Sequence, residues 1–473
     1  SSLHRFIASS LHRFIASSLH RFIIRRAALL QTTALASTCF ILTPGLGSSP
    51  AQAESYRVSH DAYGFRVLAR PSPGTLAYSD EDALQLTTKV RDFEQAVSSV
   101  NGAMLSSDTK TLDLGTHGLT LGASHGLRGG RFTVSEGERL RLGNGISIQG
   151  GSEFVVTGAA TKVEAMSFNV SSHNDQHGKL SIAEGGVVRL GGHVYPEGIG
   201  GAGQFWAGNS HGASVQAELE IDGEGSLFEI TPEANDRVTF VQGSDADPAI
   251  VSTVTITVSN GGMFRINEAT GNYTEYDFVQ VEPNCTSACA LRPIPRDVSK
   301  EEANARTYGN HHHGNLAFNI GAASGEAAVA AGYVEFASSI PLTDTSQVVF
   351  NHTNTDYEFG TAISGAGSVL VENGTTILTH ENSYTGGTTI TGGTLQVDDG
   401  GSIDGATTVS GGALLVNSSL QGITLNDGGV LGGDGTVSGV SVNSGATLAP
   451  GNSIGTLNVD GDITLSAGSS YAV

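Results

Sequence analysis

One short pattern recurs along the last part of the chain: a strand-like run, a turn that contains glycine, and a second strand-like run. The segments that share it are TTITGGTLQV, TTVSGGALLV, ITLNDGGVLGG, VSVNSGATLAPG and ITLSAGSSYAV. Its glycine pairs begin at Gly392, Gly411 and Gly428, which are 19 and 17 residues apart. A recurring period of this length is typical of a solenoid, in which one repeat forms one coil and stacks on the next.

The composition favours the same architecture. The 473 residues include 64 glycines, while only 6% are aromatic and 15% charged, which is unusual for compact domains. Coils that bury small β-branched residues against their neighbours and turn at glycine need no large aromatic centre. Short runs of alternating apolar and polar residues continue from Thr111 onward, and they argue against disorder.

We therefore predict an all-β chain that forms a right-handed parallel β-helix. It should be irregular over 107–345, with long interruptions at 191–211 and 267–315, and regular over 346–473. Some fifteen coils at a spacing of about 4.8 Å would make a stack about 70 Å long. A β-sandwich of hairpins is the competing architecture, which the recurring period and the scarcity of two-residue turns disfavour.

The first 53 residues have the pattern of a secretory signal peptide. They contain five arginines and no acidic residue, then an apolar run at 27–42 and the triplet AQA at 51–53. We predict cleavage after Ala53. The octet SSLHRFIA, repeated in tandem, lengthens the basic region. A retained anchor is disfavoured by the polar residues at 31–33, and lipoprotein processing by the poor motif before Cys39.

Residues 54–106 contain the best candidate helix, which Ser79 or Asp80 could cap. Its apolar positions are spaced by 4, 3 and 4 residues, one stripe of a helix, at Leu86, Val90, Phe93 and Val97. An open coil end exposes apolar side chains and unpaired backbone groups. We predict that 54–106 is a short N-terminal helical cap over the first coil.

The formal net charge is −22, and removal of the basic signal peptide makes it more negative. Such a charge excludes nucleic acid as a partner and suits an exported protein that must stay soluble. Cys285 and Cys289 are the two cysteines outside the signal peptide. We predict a disulfide between them, whose small loop contributes about 2 kcal/mol, so the fold cannot depend on it.

Residues 364–397 closely resemble the autotransporter-associated β-strand repeat. Its signature core is NSYTGGTTI, from Asn382, followed by GGTL, from Gly392, and VVFNHTNTDYEF precedes it. Residues 444–473 are similar to the end of passengers in the pertactin-like group. These similarities cover about the last 125 residues. Residues 107–345 resemble β-helical passengers only in general.

The resemblance implies type V secretion: a signal peptide, a β-helical passenger exported through the periplasm, and a C-terminal translocator barrel in the outer membrane. The printed sequence ends at Val473 without barrel-like strands. Membrane anchorage is thus an expectation from the resemblance, as is a location at the cell surface, in the outer membrane or outside the cell. The resemblance also implies that folding starts from the C-terminal coils.

The motif residues are predicted to be structural. Gly386, Gly387, Gly392 and Gly393 should permit positive φ at the corners of the coil. Tyr384 should pack at a corner or stack along the coils. Thr388, Ile390, Leu395 and Val397 alternate as in a pleated, half-buried strand.

Candidate binding residues lie in the interruptions. Tyr195, Phe205 and Trp206 stand among glycines, where exposed aromatic side chains can anchor a protein or a glycan. Packing between coils is the alternative role. His311, His312 and His313 are weak metal ligands, because adjacent side chains splay apart and no carboxylate lies near them. A solvated loop is the favoured interpretation there, and also for His173 and His177.

Two sequence motifs of catalysis are missing: the chain contains no GDSGG or GDSL string. Asp398, Asp399 and Asp434 fall in glycine turns, where aspartate is simply a good turn residue. We expect a surface-displayed, virulence-related adhesin for a host-cell or matrix protein or glycan, without catalytic residues or cofactor. A secreted β-helical carbohydrate-active enzyme and a structural stalk are the alternatives. Several carboxylates, or carboxylates with Lys or Arg, along one groove would favour the enzyme.

Overall fold

The structure is a computed structural model. It describes side chains and backbone for residues 133–135, 137–142, 145–148, 151–171, 177–191, 205, 207, 215–231, 252–267, 315–453 and 455–472. Elsewhere it gives strand positions alone. The predicted signal peptide, the predicted cap helix, the histidines at 311–313 and the cysteines at 285 and 289 lie outside the described residues. Among the described residues we find no helix, and therefore no helix that is long and apolar enough to span a membrane.

The first 22 strands precede residue 337. They are β1 Arg57–Asp61, β2 Gly64–Leu68, β3 Leu84–Gln85, β4 Met104–Ser106, β5 Thr111–Asp113, β6 Leu119–Leu121, β7 Gly130–Val134, β8 Arg139–Ile148, β9 Ser152–Thr157, β10 Lys162–Val170, β11 His177–Ala183, β12 Val187–Gly191, β13 Gln204–Ala207, β14 Gln216–Asp222, β15 Leu227–Thr231, β16 Val238–Thr239, β17 Ser252–Ser259, β18 Met263–Ile266, β19 Thr274–Gln280, β20 Leu291–Asp297, β21 Gly314–Gly321 and β22 Tyr333–Phe336.

Shorter strands make up the remainder. They are β23 Ser339–Leu342, β24 Gln347–Asn351, β25 Tyr357–Phe359, β26 Ala362–Gly365, β27 Ser368–Asn373, β28 Thr375–Leu378, β29 Glu381–Tyr384, β30 Thr388–Ile390, β31 Thr394–Val397, β32 Ser402–Ile403, β33 Thr407–Val409, β34 Ala413–Val416, β35 Ser419–Leu425, β36 Val430–Gly432, β37 Thr436–Val442, β38 Thr447–Leu448, β39 Asn458–Val459, β40 Ile463–Leu465 and β41 Ser470–Tyr471.

Up to β22 the chain alternates between two parallel sheets. The first sheet has the order β3-β7-β9-β11-β14-β17-β21 and continues through β24 into the second half. The second sheet has the order β6-β8-β10-β12-β15-β18-β22. Each coil adds one strand to each sheet, parallel to its predecessor, as a β-helix requires. This parallel stacking confirms the predicted class over the β-sandwich of hairpins.

From β23 to β34 each coil has three strands, one in each of three sheets, whereas the next two coils have two strands each, β35 with β36 and β37 with β38. The first sheet continues through β27, β30, β33, β35 and β37, while two further sheets begin at β23 and β25. One column of paired residues runs through Val371, Ile390, Val409, Leu425 and Val442. These residues are 19, 19, 16 and 17 apart, the period of the glycine pairs. One sequence repeat therefore forms one coil.

The interior changes composition along the stack. Phenylalanines fill the two-sheet coils: the ring of Phe264 stacks on those of Phe228 and Phe336, with centroids 5.4 Å away in each case. Beyond Tyr384 the described core consists of Val, Leu, Ile and Ala. Buried aromatic side chains are thus found as far as Tyr384, whereas the described coils beyond it close on aliphatic side chains.

The motif glycines have two different roles. Gly387 and Gly393 adopt φ of +85° and +65°, which is the predicted corner geometry. Gly386 and Gly392 are not at positive φ, so this part of the prediction is wrong for them. A Cβ on Gly386 would lie 2.4 Å from the carbonyl oxygen of Gly367, and a Cβ on Gly392 would lie 2.3 Å from that of Glu372. Close approach of the preceding coil therefore requires glycine at both positions.

Tyr384 lies in the interior at the end of β29, beside the Gly386–Gly387 corner. Its side chain has no exposed surface, and its hydroxyl forms a hydrogen bond with Thr388 Oγ1. Burial raises the pKa of Tyr384, although the bond to Thr388 acts to lower it. The tyrosine therefore stays neutral and supports the corner from inside, a structural role.

Candidate functional site

A groove of about 550 Å³ lies on the outer face of the first sheet. Strands β7, β9, β11 and β14 form it, and mainly their outward-facing residues line it. The lining residues are Thr133, Glu153, Val155, Thr157, Lys179, Ser181, Ile182, Ala183, Glu184, Glu220 and Asp222. The groove thus places four carboxylates and one ammonium group on three neighbouring coils.

Lys179 is the only cation among the lining residues. Its Nζ lies 2.8 Å from a carboxylate oxygen of Glu220 and 3.8 Å from one of Glu218. Partial burial acts to lower the pKa of Lys179, but the hydrogen bond to Glu220 and the charges of Glu220, Glu218 and Glu153 outweigh it. The net result is a raised pKa. Lys179 is therefore a fixed cation at neutral pH and cannot act as a proton acceptor.

Neighbouring hydroxyl and amide groups orient the carboxylates of the groove. Ser181 Oγ donates to Glu153 at 3.2 Å, and Thr157 Oγ1 donates to Glu184 at 3.0 Å. Asp222 accepts from Ser259 Oγ and Asn260 Nδ2, both at 2.7 Å. The result is a fixed set of acceptors along the groove, suited to hydroxyl or cationic groups of a ligand.

The described side chains do not indicate a metal site. Across them, no three His, Cys, Asp or Glu residues are grouped so that they could hold an ion. His177, which sequence reasoning weighed as a weak ligand, lies 3.0 Å from Glu218 in a surface pair instead. His173 and the triplet at 311–313 are not among these residues.

The predicted aromatic anchors are only partly described. Phe205 has no exposed surface, and its ring meets that of Phe228 edge-on at 5.1 Å. Packing is therefore the role that its burial supports, and it cannot anchor a partner from this position. Trp206 occupies the next position of β13, in register with Asn169 of β10 and Thr239 of β16. The Trp206 side chain and the whole of Tyr195 lie outside the described residues.

The long interruptions leave the coils at a common edge. Strands β12, β15 and β18 stack in register, with Gly191 opposite Thr231. Strands β14, β17 and β21 also stack in register, with Thr253 between Gln216 and Asn315. The chain passes from the first set to the second three times, through 192–214, 232–251 and 268–313. The first two of these segments contain β13 and β16, which extend the second sheet beside β10. Sequence reasoning singled out the first and third of these segments and missed the second.

Charges on the second sheet are arranged differently, as an alternating ladder. Its paired positions are Arg141, Glu164, Arg189, Glu229, Arg265 and Glu335. Glu229 accepts from Arg189 at 2.7 Å and from Arg265 at 3.3 Å. Exposed pairs of this kind contribute little free energy each, but a one-residue slip of the register would turn these charges towards the core. The ladder therefore specifies register, whereas the groove carries unbalanced negative charge.

Sequence reasoning missed the groove residues Glu153, Lys179 and Glu220. They stand at outward positions of the segments SEFVVTG, KLSIAEGG and AELEIDG. Aligning these strands by their apolar alternation would have brought the charges onto one face. The signal was present, but it requires pairing segments that lie 26 and 41 residues apart.

One family model matches the chain, and it falls within the regular coils. The passenger-associated-transport-repeat family matches residues 372–397, which run from the end of β27 through β31 and include the NSYTGGTTI core. No curated protein shows significant similarity to the chain. The match does not distinguish the pertactin-like group, which stays a prediction. A matched repeat within stacked parallel coils fits an autotransporter passenger that contains the passenger-associated transport repeat.

Proposed function

We propose that this passenger is an adhesin, displayed on the cell surface and virulence-related, whose partner is a host-cell or matrix protein or glycan. Its repeat family implies a secreted or outer-membrane-associated surface protein. The observation that supports adhesion is the common edge from which segments 192–214, 232–251 and 268–313 leave successive coils. Loops on a rigid scaffold are the usual place for binding residues.

The coils themselves are poor candidates for recognition. Their motif residues are buried or form corners, and packing alone explains their identity. Three segments on one edge can contact the same partner surface together. Such multivalent contacts strengthen weak individual ones by large factors.

Shortening two of these segments should weaken adhesion strongly. We expect that replacing 232–251 and 268–313 by short Gly-Ser linkers lowers the binding of passenger-displaying bacteria to epithelial monolayers about tenfold or more. Surface amounts are equalised with an antibody to the C-terminal coils. The control is E224S, which alters the exposed turn between β14 and β15 at the opposite edge of the same coils. Unchanged binding after both replacements would contradict the proposal.

A carbohydrate-active enzyme is the second candidate, and the groove is the observation that favours it. Paired carboxylates can act as acid and base on a glycosidic bond, and Glu153 and Glu220 flank Lys179 in the groove. Lys179 would orient an acidic sugar as a fixed cation. We rank this candidate second because the carboxylates and Lys179 also satisfy one another as a surface network.

Polysaccharide cleavage separates the two candidates. We expect the purified passenger to release no new reducing ends from acidic or neutral polysaccharides. If product appears, the variants E153Q and E220Q decide its source, with E224Q as an exposed control outside the groove. Cleavage that E153Q or E220Q lowers about a hundredfold, and E224Q leaves intact, would assign catalysis to the groove and replace the adhesin proposal.

A further inference from the structure

Residues 322–331, here called the strap, connect β21 to β22 at the point where two-sheet coils give way to three-sheet coils. Positions 324–327 of the strap are exposed, while Ala322 and Ala331 at its ends are buried. Its inner edge hydrogen-bonds to the previous coil, where Asn260 N donates to the carbonyl oxygen of Ala330 at 2.8 Å. The strap thus covers the transition between the two kinds of coil.

A single short segment of the next coil holds the strap. Asn351 Nδ2 donates to the carbonyl oxygens of Ala323 and Glu326, at 2.8 and 3.0 Å. Thr353 N donates to the carbonyl oxygen of Val329 at 2.9 Å. Asn354 Oδ1 accepts from Ala331 N at 2.9 Å. Three of the four residues at 351–354 therefore hold the strap by direct hydrogen bonds.

The fourth residue, His352, turns inward and fixes this segment to the core. It has no exposed surface, and its ring centroid lies 5.1 Å from that of Tyr357. His352 Nε2 is 2.8 Å from the buried hydroxyl of Thr376. The ring also occupies the space beside Gly374, where an added Cβ would lie 2.3 Å from Nδ1. His352 therefore packs the middle of this segment against the core, between the residues that hold the strap.

A charged imidazole would find no counter-ion there. The ionisable groups on the elements around it are Tyr357, whose hydroxyl donates to the carbonyl oxygen of Gly332, and the carboxylates of Glu326, Asp356, Glu358 and Glu372. Glu326, Asp356 and Glu358 are exposed. Glu372 accepts from Ser324 Oγ and Gly325 N of the strap instead. Burial lowers the pKa of His352 to about 4, against a smaller opposing effect of the Asn354 backbone.

We propose that the strap is an acid-released clasp, which neutral His352 holds closed and which protonated His352 opens. In the open state the imidazole meets water and regains its ordinary affinity for protons. Opening therefore becomes easier as the pH falls from about 6.5 towards 4, and it is insensitive to pH above this window. The opening equilibrium should rise about thirtyfold between pH 8 and pH 5. Release would expose the core at the junction of the two coil types.

Hydrogen exchange followed by mass spectrometry tests the clasp in the full chain. After correction for intrinsic exchange, the peptides that cover 322–331 should report an opening equilibrium about thirtyfold larger at pH 5 than at pH 8. The variant H352Q keeps an amide that can bond Thr376 but cannot titrate, so it should lose this dependence. Equal opening at both pH values in the wild type, or an unchanged rise in H352Q, would overturn the proposal.

Two further variants and one direct titration complete the test. H380Q removes an exposed histidine of the same coils and should keep the full rise. E372Q replaces the carboxylate that accepts from the strap by an amide that does not titrate, and it should also keep the rise. Loss of the rise in either variant counts against His352. If H352Q fails to fold, NMR titration of the wild-type histidines decides the question. A His352 pKa near the ordinary 6.5 contradicts the clasp.

Discussion

Replacing Leu395 by Asp should unfold the C-terminal coils. Leu395 has no exposed surface in β31, where it pairs with Thr376 of the coil before and Leu414 of the coil after. The substitution removes a buried leucine and places a carboxylate among apolar neighbours. It should lower the free energy of unfolding by about 5 kcal/mol or more. This loss is comparable to the whole free energy of unfolding of many domains. Limited proteolysis should cut the variant throughout 346–473 where the wild type resists.

The matched control is Thr389→Asp on the neighbouring strand β30. Thr389 is exposed and faces outward, so its carboxylate stays in water. We expect the protease resistance of T389D to match the wild type. Resistance of L395D equal to that of T389D would contradict both the burial of this column and its role in holding the coils together.

Replacing Gly412 by Ala should destabilise the same coils for a different reason. Gly412 has φ of +66°, and an added Cβ would lie 2.2 Å from the carbonyl oxygen of Gly393 in the preceding coil. Backbone atoms on both sides must move, which adds to the strain of a left-handed alanine. The free energy of unfolding should fall by about 3 kcal/mol. We expect a lower melting temperature and unfolding of the regular coils at a lower urea concentration.

Gly422 offers a control that separates strain from clash. Its φ is +68°, nearly that of Gly412, but the nearest atom to an added Cβ is 3.9 Å away. G422A should therefore lose only about 1 kcal/mol, the strain of the left-handed conformation alone. Equal losses in the two variants would show that close stacking of coils is not what requires glycine at position 412.

The regular coils were predictable because their contacts repeat at the period of the sequence. Ile390, Val409 and Leu425 face one another in successive coils, and each occupies the same place in its repeat. Glycine marks each corner, so strand order and register follow together. The finer geometry was not predictable, since Gly386 and Gly392 are required by a neighbouring coil and not by their own φ.

The irregular coils and the groove depend on loops whose lengths vary. Phe228 and Phe264 stack although 36 residues separate them, and the strands that carry Lys179 and Glu220 meet only after segment 192–214. No fixed period connects such positions. Phe205 illustrates the same limit: its two roles were open until its register with Phe168 of β10 placed it inside.

The sequence contains even less indication that His352 is buried. In the sequence it stands within VVFNHTNTDYEF, which was notable only as the lead-in to the repeat. Its burial follows from two features of the next coil, the hydroxyl of Thr376 and the missing side chain of Gly374. Both lie more than twenty residues away, so a local pattern could not place the ring in the core.

Cross-linking of paired cysteines tests most directly whether one sequence repeat forms one coil. In a chain whose three cysteines are replaced by serine, T389C/T408C joins adjacent coils, and T389C/S441C spans three. The expected separations are about 5 Å and about 14 Å. A short thiol cross-linker should join the first pair rapidly and leave the second pair unlinked. Rapid linkage of the second pair, or none of the first, would contradict the stacked parallel coils.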